Sequence, residues 1–338
     1  MYVMIERKIR QAVENFNLNL DTKVVLTEAA TGNYVVTPII AALAGAKVFA
    51  YMKNSRYGSV EEVRKQTFAL AERMGVREKI ILIESFDMVQ FDGVDVVTNT
   101  GFLRPITSEF IKRLPSRCVL PLMWEPWEYR ADELDLAACL EHGIKVYGTN
   151  ESDDRLRTMD YIGYTVLKLI LDNGLSPFSA CLLILGCQRF VKPVVRILEG
   201  SGFSLQALTE YSQKPELDSF NVIVLLEHER DLLLIGGKNA FIGVDEIDRE
   251  TVVIHICGSV SFDNAEFRYV PDNPQPFGYM SFRTDYIDNK AVIDLHTAGL
   301  KVAEGMLKAK ESDLKGIAFK NFMERNYPAL AFEDPRYW

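Results

Sequence analysis

The stretch from Ser179 to Gly202, SACLLILGCQRFVKPVVRILEGSG, limits what this chain can become more than any other. An apolar run from Cys181 to Leu185 ends at Gly186 and crosses a tight turn. It then enters a helical pattern that puts Val191, Val194, Val195 and Leu198 on one face. Strand, glycine turn and helix in that order form a context in which a phosphate can sit on a helix N-terminus. The usual dinucleotide fingerprint has three glycines, and their places here read Gly186, Gln188 and Val191. Gly186 can still make the turn, whereas Gln188 puts a side chain where a diphosphate would approach the backbone.

The rest of the chain repeats the alternation. KVVLTEA, KVFAYM, IILIES, DVVTN, CVLPLM and IKVYGTN read as short strands. TPIIAALAGA, VEEVRKQTFALAERMG, ITSEFIKRL and DELDLAACLEHG read as the helices between them. Short apolar strands separated by helices predict a parallel sheet wrapped by helices. A long helix is expected in ESDDRLRTMDYIGYTVLKLILDNG, with Ser152, Asp153 and Asp154 as its cap and first turn. FSLQAL, NVIVLL and TVVIHI follow Gly202 as strands, and IDNKAVIDLHTAGLKVAEGMLKAKES is a second long helix before an aromatic tail. A chain of 338 residues exceeds one ordinary core. Its fold class is therefore α/β with two domains. The first is flavodoxin-like, residues 1–150 rejoined by the tail 308–338. The second is Rossmann-like, residues 151–307, and two long helices join them.

Composition excludes some partners. Net charge is −9 and no Lys/Arg run stands out, which argues against nucleic acid and against an anionic membrane surface. The opening MYVMIERKIRQAVENF is an amphipathic charged helix, not an apolar core followed by a cleavage site. The five cysteines are odd in number and scattered, and neither CxxC nor a Cys/His metal spacing occurs. They read as reduced thiols of a cytoplasmic protein with no metal site.

The residues ITSEFIKRLPSRCVLPL, ADELDLAACLEHGIKVYGTNE, the helix from Asp153 and the LILG turn stand in an order that resembles the D-isomer-specific 2-hydroxyacid dehydrogenases of the formate/glycerate dehydrogenase group. As motif identity the resemblance runs from about Asp132 to Gly202. It implies NAD or NADP as cofactor, a small-molecule substrate between two domains, and a homodimer. Departures accompany it. Cys257, before Gly258, stands where the family has its catalytic arginine, and SFDNAEFRYVPDNPQPFGYMSFRTDY holds no histidine to match the family's Pro-His. LGC also resembles the glycine turn of S-adenosylmethionine-dependent methyltransferases, which keeps that cofactor as a third option.

Candidate residues follow from position. Gly186, Gln188, Arg189 and Phe190 form the phosphate turn. Glu210, just past FSLQAL, is where an acid would hold a ribose hydroxyl. Cys257 would line the same cofactor site. His255, His228 and Glu227 end two strands and are the acid/base candidates, because the C-terminal edge of an open parallel sheet is where ligands bind. Trp124, Glu125, Trp127 and Arg130 in MWEPWEYR, with Arg104 and Asn33, are the substrate-facing candidates, since binding residues concentrate in loops. The expected function is an atypical NAD(P)-dependent oxidoreductase. The alternative is a catalytically silent metabolite- or partner-binding protein on the same scaffold.

Overall fold

Strands that are apolar along their whole length build two parallel sheets in separate units. The computed structural model describes residues 2–283 and 285–338. One unit runs to Leu156 and resumes at Asn289, and the other is Arg157–Asp288.

The first unit opens with α1 (Tyr2–Asn15), β1 (Val24–Glu28), α2 (Val36–Leu43), β2 (Lys47–Tyr51), α3 (Val60–Met74) and β3 (Ile80–Ile83). The chain then returns to the far side of β1 with β4 (Val96–Val97), α4 (Ser108–Ile111), β5 (Val119–Pro121), α5 (Leu136–Glu141) and β6 (Lys145–Thr149). Local chemistry sets the helix ends. Ser59 and Glu62 form a reciprocal capping box on α3, and Gly75 closes that helix at φ 73°.

After the second unit, α8 (Lys290–Glu311), α9 (Gly316–Asn326) and β15 (Ala329–Leu330) complete the first; numbering follows the chain. The seven strands lie in the order β15-β6-β5-β4-β1-β2-β3, with β15 alone antiparallel, so the strand order reverses between β1 and β4. Val25, Val48 and Ile80 face one core with α1, α2, α3 and α8, while Leu26, Phe49 and Ile83 face the other with α4 and α5. The long helix α8 belongs here and not to the second domain expected from the sequence. Val292, Ile293, Leu300, Val302, Ala303 and Met306 are all buried in the core beneath it. Burial almost all round suits a helix covered on every side.

The second unit begins with α6 (Thr158–Asp172), later than its sequence suggests. Asp153 accepts from the Arg155 N–H at 3.0 Å and pairs with its guanidinium, and Arg157 at φ 53° interrupts the helix before Thr158. Then come β7 (Cys181–Gly186), α7 (Gln188–Gly200), β8 (Ser204–Leu208), β9 (Val222–Leu226), β10 (Leu233–Gly236), β11 (Ile242–Gly243), β12 (Val252–Cys257), β13 (Ser259–Val260) and β14 (Arg268–Val270). Five of these strands lie in the order β14-β12-β9-β7-β8, all parallel, while β10, β11 and β13 form a small separate sheet. Along β7, Leu182 and Ile184 face α6 and α7, whereas Leu183 and Leu185 face the opposite core. This strand order also reverses once, between β7 and β9. In each unit the strand order reverses once, and open parallel sheets place ligands beside such a reversal at the carboxyl ends of the strands.

Candidate functional site

The crevice of the second unit lies where β7 and β9 end. Gly186 pairs with Leu226 across it, and a Cβ on Gly186 would stand 2.5 Å from the Leu226 carbonyl oxygen. Only glycine allows that approach. One extended residue, Cys187, separates the strand from α7. The Phe190 and Val191 N–H groups bond back to the Cys187 carbonyl at 3.1 and 3.0 Å. Phe190 therefore spends its donor within the helix, contrary to the phosphate-binding role expected of it. The N–H groups of Gln188 and Arg189 precede the point where intrahelical bonding begins, and no side chain caps this end of α7.

Across the crevice, His228 follows β9. Its Nδ1 lies 2.7 Å from Cys187 Sγ, and its ring stacks on Phe190 with centroids 4.0 Å apart and planes 5° from parallel. Cys187 is buried, and desolvation pushes its thiol up to about 11. Glu229 adds a carboxylate, so one ligand-type atom from each of Cys187, His228 and Glu229 lies within 4.8 Å of the others.

Glu227, by contrast, is fully buried and fully used. Tyr211 donates its hydroxyl to it at 2.8 Å, and the Glu229 and Arg230 N–H groups donate at 2.9 and 3.1 Å. The Arg230 guanidinium pairs with it at 2.8 Å. Although burial opposes ionisation, these donors together hold the carboxyl below the usual range. Arg230 also reaches Glu210, just past β8, at 3.3 Å. Glu227 fixes the loop after β9 and has no oxygen left for proton transfer.

His255, on β12, is enclosed. Its Nε2 faces the Gly258 carbonyl at 3.0 Å, an acceptor only, so that nitrogen carries the proton; Nδ1 then accepts from Ser281 Oγ at 2.7 Å. Burial lowers its pKa, in keeping with a neutral ring that ties β12 to the loop at Ser281. The acid/base role expected of it has no free nitrogen. Cys257 lies in the core against α6 and α7, where burial raises its thiol well above the ordinary value, so it does not line the crevice as expected.

In the first unit the reversal between β1 and β4 sets Glu28 at a strand end. Its side chain is 5 % exposed and Oε2 accepts from the Phe102 N–H at 2.8 Å. Desolvation raises its pKa, against the opposing pull of that N–H, Arg104 and Lys53. Beside it the hydroxyls of Thr27, Thr98 and Thr100 form a buried chain, with 2.8 Å at each of its two links. Nothing in the sequence singles out Glu28. The available signal is an acid ending a buried strand, which becomes informative only once the strand order is known.

The expected substrate-facing residues fall into two groups. Arg104 pairs with Glu133 at 2.5 Å and lies over the Trp124 ring at 4.9 Å, and Arg130 reaches the same Glu133 at 3.9 Å. Trp127 is half-exposed, and Asn33 is partly exposed in the turn after β1. Glu125 is buried instead. It accepts from Trp127 Nε1 at 2.6 Å and from the Glu151 N–H at 3.0 Å, and it holds the 123–130 loop in place. The neighbouring Glu128 carboxyl is pushed up to about 7 by burial and by Glu125.

All five cysteines are free thiols, and among the described residues no helix is long and apolar enough to cross a membrane.

No family model matches the chain, and no curated protein matches its sequence. Solved structures do. A dipicolinate synthase chain from Bacillus subtilis matches at 9% identity and a TM-score of 0.54, covering 87% of this chain and 99% of that one. The dipicolinate synthase chain solved from Bacillus halodurans matches at 13% and 0.52, covering 86% and 98%. TP0037 of Treponema pallidum, a D-lactate dehydrogenase, matches at 11% and 0.50, covering 87% and 98%. At these identities the likeness is one of fold. The chain shares the α/β, parallel-sheet fold of these structures, the fold class expected from its sequence.

Proposed function

We propose that this chain is an NAD(P)-dependent oxidoreductase acting on a small polar metabolite, with the dinucleotide held at the carboxyl edge of the second unit's five-stranded sheet. The observation that carries this reading is the strand-order reversal between β7 and β9, with an uncapped α7 starting one residue past Gly186. Gly186 would make the turn, and the Gln188 and Arg189 N–H groups with the Arg189 side chain would meet the diphosphate. Glu210 would take a ribose hydroxyl. These residues fit such a group with one departure: Gln188 in place of glycine keeps the diphosphate further from the backbone. The bound nucleotide would supply hydride-transfer capacity.

Within the first unit, Glu28 is the group we assign to hold a proton of a bound metabolite. It is a carboxyl biased toward its protonated form, one oxygen is fixed by Phe102, and it stands at a strand end where ligands bind. Arg104, Arg130, Trp124, Trp127 and Asn33 would supply cationic and aromatic contacts to the metabolite. A homodimer is the assembly the family resemblance implies, and light scattering of the purified protein tests it. The free thiols suit a cytoplasmic location, which fractionation tests.

The functional test is calorimetric titration with NAD, NADH, NADP and NADPH. One of the four should bind, and Arg189→Glu should abolish that binding. Failure of all four would refute the reading. Unchanged affinity in Arg189→Glu would remove Arg189 from the site.

A further inference from the structure

Cys187 and His228 come from different strand ends, 41 residues apart, and the sheet register alone brings them together. We propose that Cys187 Sγ, a ring nitrogen of His228 and the Glu229 carboxylate form a binding site for a divalent ion of the zinc class, with a fourth position open to water. This goes beyond the dinucleotide reading and is tested without any nucleotide.

The donor set selects the ion. A thiol and an imidazole suit zinc, cobalt or nickel, whereas magnesium and calcium ask for oxygen alone. Geometry comes close to what coordination needs. With ordinary zinc–sulfur and zinc–nitrogen lengths at a tetrahedral angle, the two atoms stand about 3.5 Å apart. Here Sγ and Nδ1 are 2.7 Å apart. An ion would have to widen that gap by about 0.8 Å, which the half-buried His228 ring would have to supply.

The surroundings favour a bound ion. Cys187 stands directly before the first turn of a 13-residue helix, and an ion binding there would displace the thiol's proton. Glu227 anchors the loop through the Glu229 and Arg230 N–H groups, which sets where the Glu229 side chain begins. Glu227 itself is held by Tyr211 and Arg230, so it supports the site without joining it. Glu229 is exposed and His228 half-buried, which leaves an ion a way in from solvent.

The full-length protein, stripped of metal by a chelator, is titrated with cobalt(II) and followed by absorption. One equivalent should bind, with visible bands of a low-coordinate ion and a near-ultraviolet thiolate-to-cobalt band, and zinc should displace it. Cys187→Ser should lose the near-ultraviolet band, while Cys181→Ser, at the opposite end of β7, should keep it. Glu229→Gln lies at the surface and leaves the core untouched. It should weaken binding at least about tenfold, the lower end of what losing even an outer-shell partner costs. Circular dichroism establishes that each variant is folded. Absence of the thiolate band in the wild type, its survival in Cys187→Ser, or unchanged affinity in Glu229→Gln would overturn the proposal.

Discussion

Replacing Gly186 with alanine probes the packing on which the second unit's crevice depends. The new Cβ would stand 2.5 Å from the Leu226 carbonyl oxygen and 2.6 Å from both its carbon and the Leu226 Cβ, where ordinary contact begins at 3.4 Å. Since most of the opposing atoms are backbone, no side-chain rotation relieves the clash, and β7 and β9 must part by about 1 Å locally. Overpacking of this kind costs about 1–3 kcal/mol. The Cys187 N–H bond to Leu226 O, already 3.3 Å long, would be lost for about 1 kcal/mol more. Together the loss is about 2–4 kcal/mol, which corresponds to exchange of the β7 and β9 amides accelerated between about 30-fold and about 1,000-fold. Hydrogen–deuterium exchange with peptide resolution reads this directly. Gly200→Ala is the control: it lies in α7 with nothing within 4 Å of a Cβ. It should be neutral or should stabilise by up to about 1 kcal/mol. If Gly186→Ala exchanged within threefold of the wild type, close strand approach would not be what Gly186 provides.

Three further outcomes are expected. His296 is buried with Nδ1 2.6 Å from Thr37 Oγ1, and burial depresses its pKa from 6.5 to about 4. Stability from the neutral ring is complete above pH 6.5 and is lost as pH falls toward 4, by as much as about 3 kcal/mol. His296→Gln should flatten that part of an acid-denaturation profile, and an unchanged profile would show that another group controls it. Glu28→Gln should keep dinucleotide affinity and abolish turnover, while leaving stability at pH 8 equal to or above that of the wild type because no buried charge remains. A marked loss of stability in equilibrium unfolding would instead mean that the ionised carboxylate is structural. Tyr211→Phe removes one donor to Glu227 and should cost about 1–3 kcal/mol in urea denaturation; no change would show that Arg230 and the two N–H groups suffice.

The parts of the fold that are legible in the sequence are those where one segment carries its own signal. Cys181–Gly186 is apolar on both faces and Gln188–Gly200 on one, so β7, its turn and α7 can be read locally. The start of α6 escapes such a reading because Asp153 offers the same chemistry to a turn as to a helix cap. The unit to which α8 belongs is a question of tertiary packing, and no local pattern answers it. The site divides the same way. Gly186 and Glu210, proposed for the dinucleotide, can be found by their distance from a strand. Cys187 with His228, and Glu28 with Phe102, meet only through strand order and register. His255 and Glu227 draw attention as polar groups at strand ends, yet their hydrogen bonds show them holding loops in place.

Whether the second unit holds a dinucleotide can be read from a hydrogen-exchange footprint of the wild-type protein with saturating NADH and, separately, NADPH. One of them should slow exchange, concentrated in the amides of the 186–190 turn and the 208–210 strand end. An unaltered exchange map with both nucleotides, or protection that leaves the turn after β7 unchanged, would contradict that expectation.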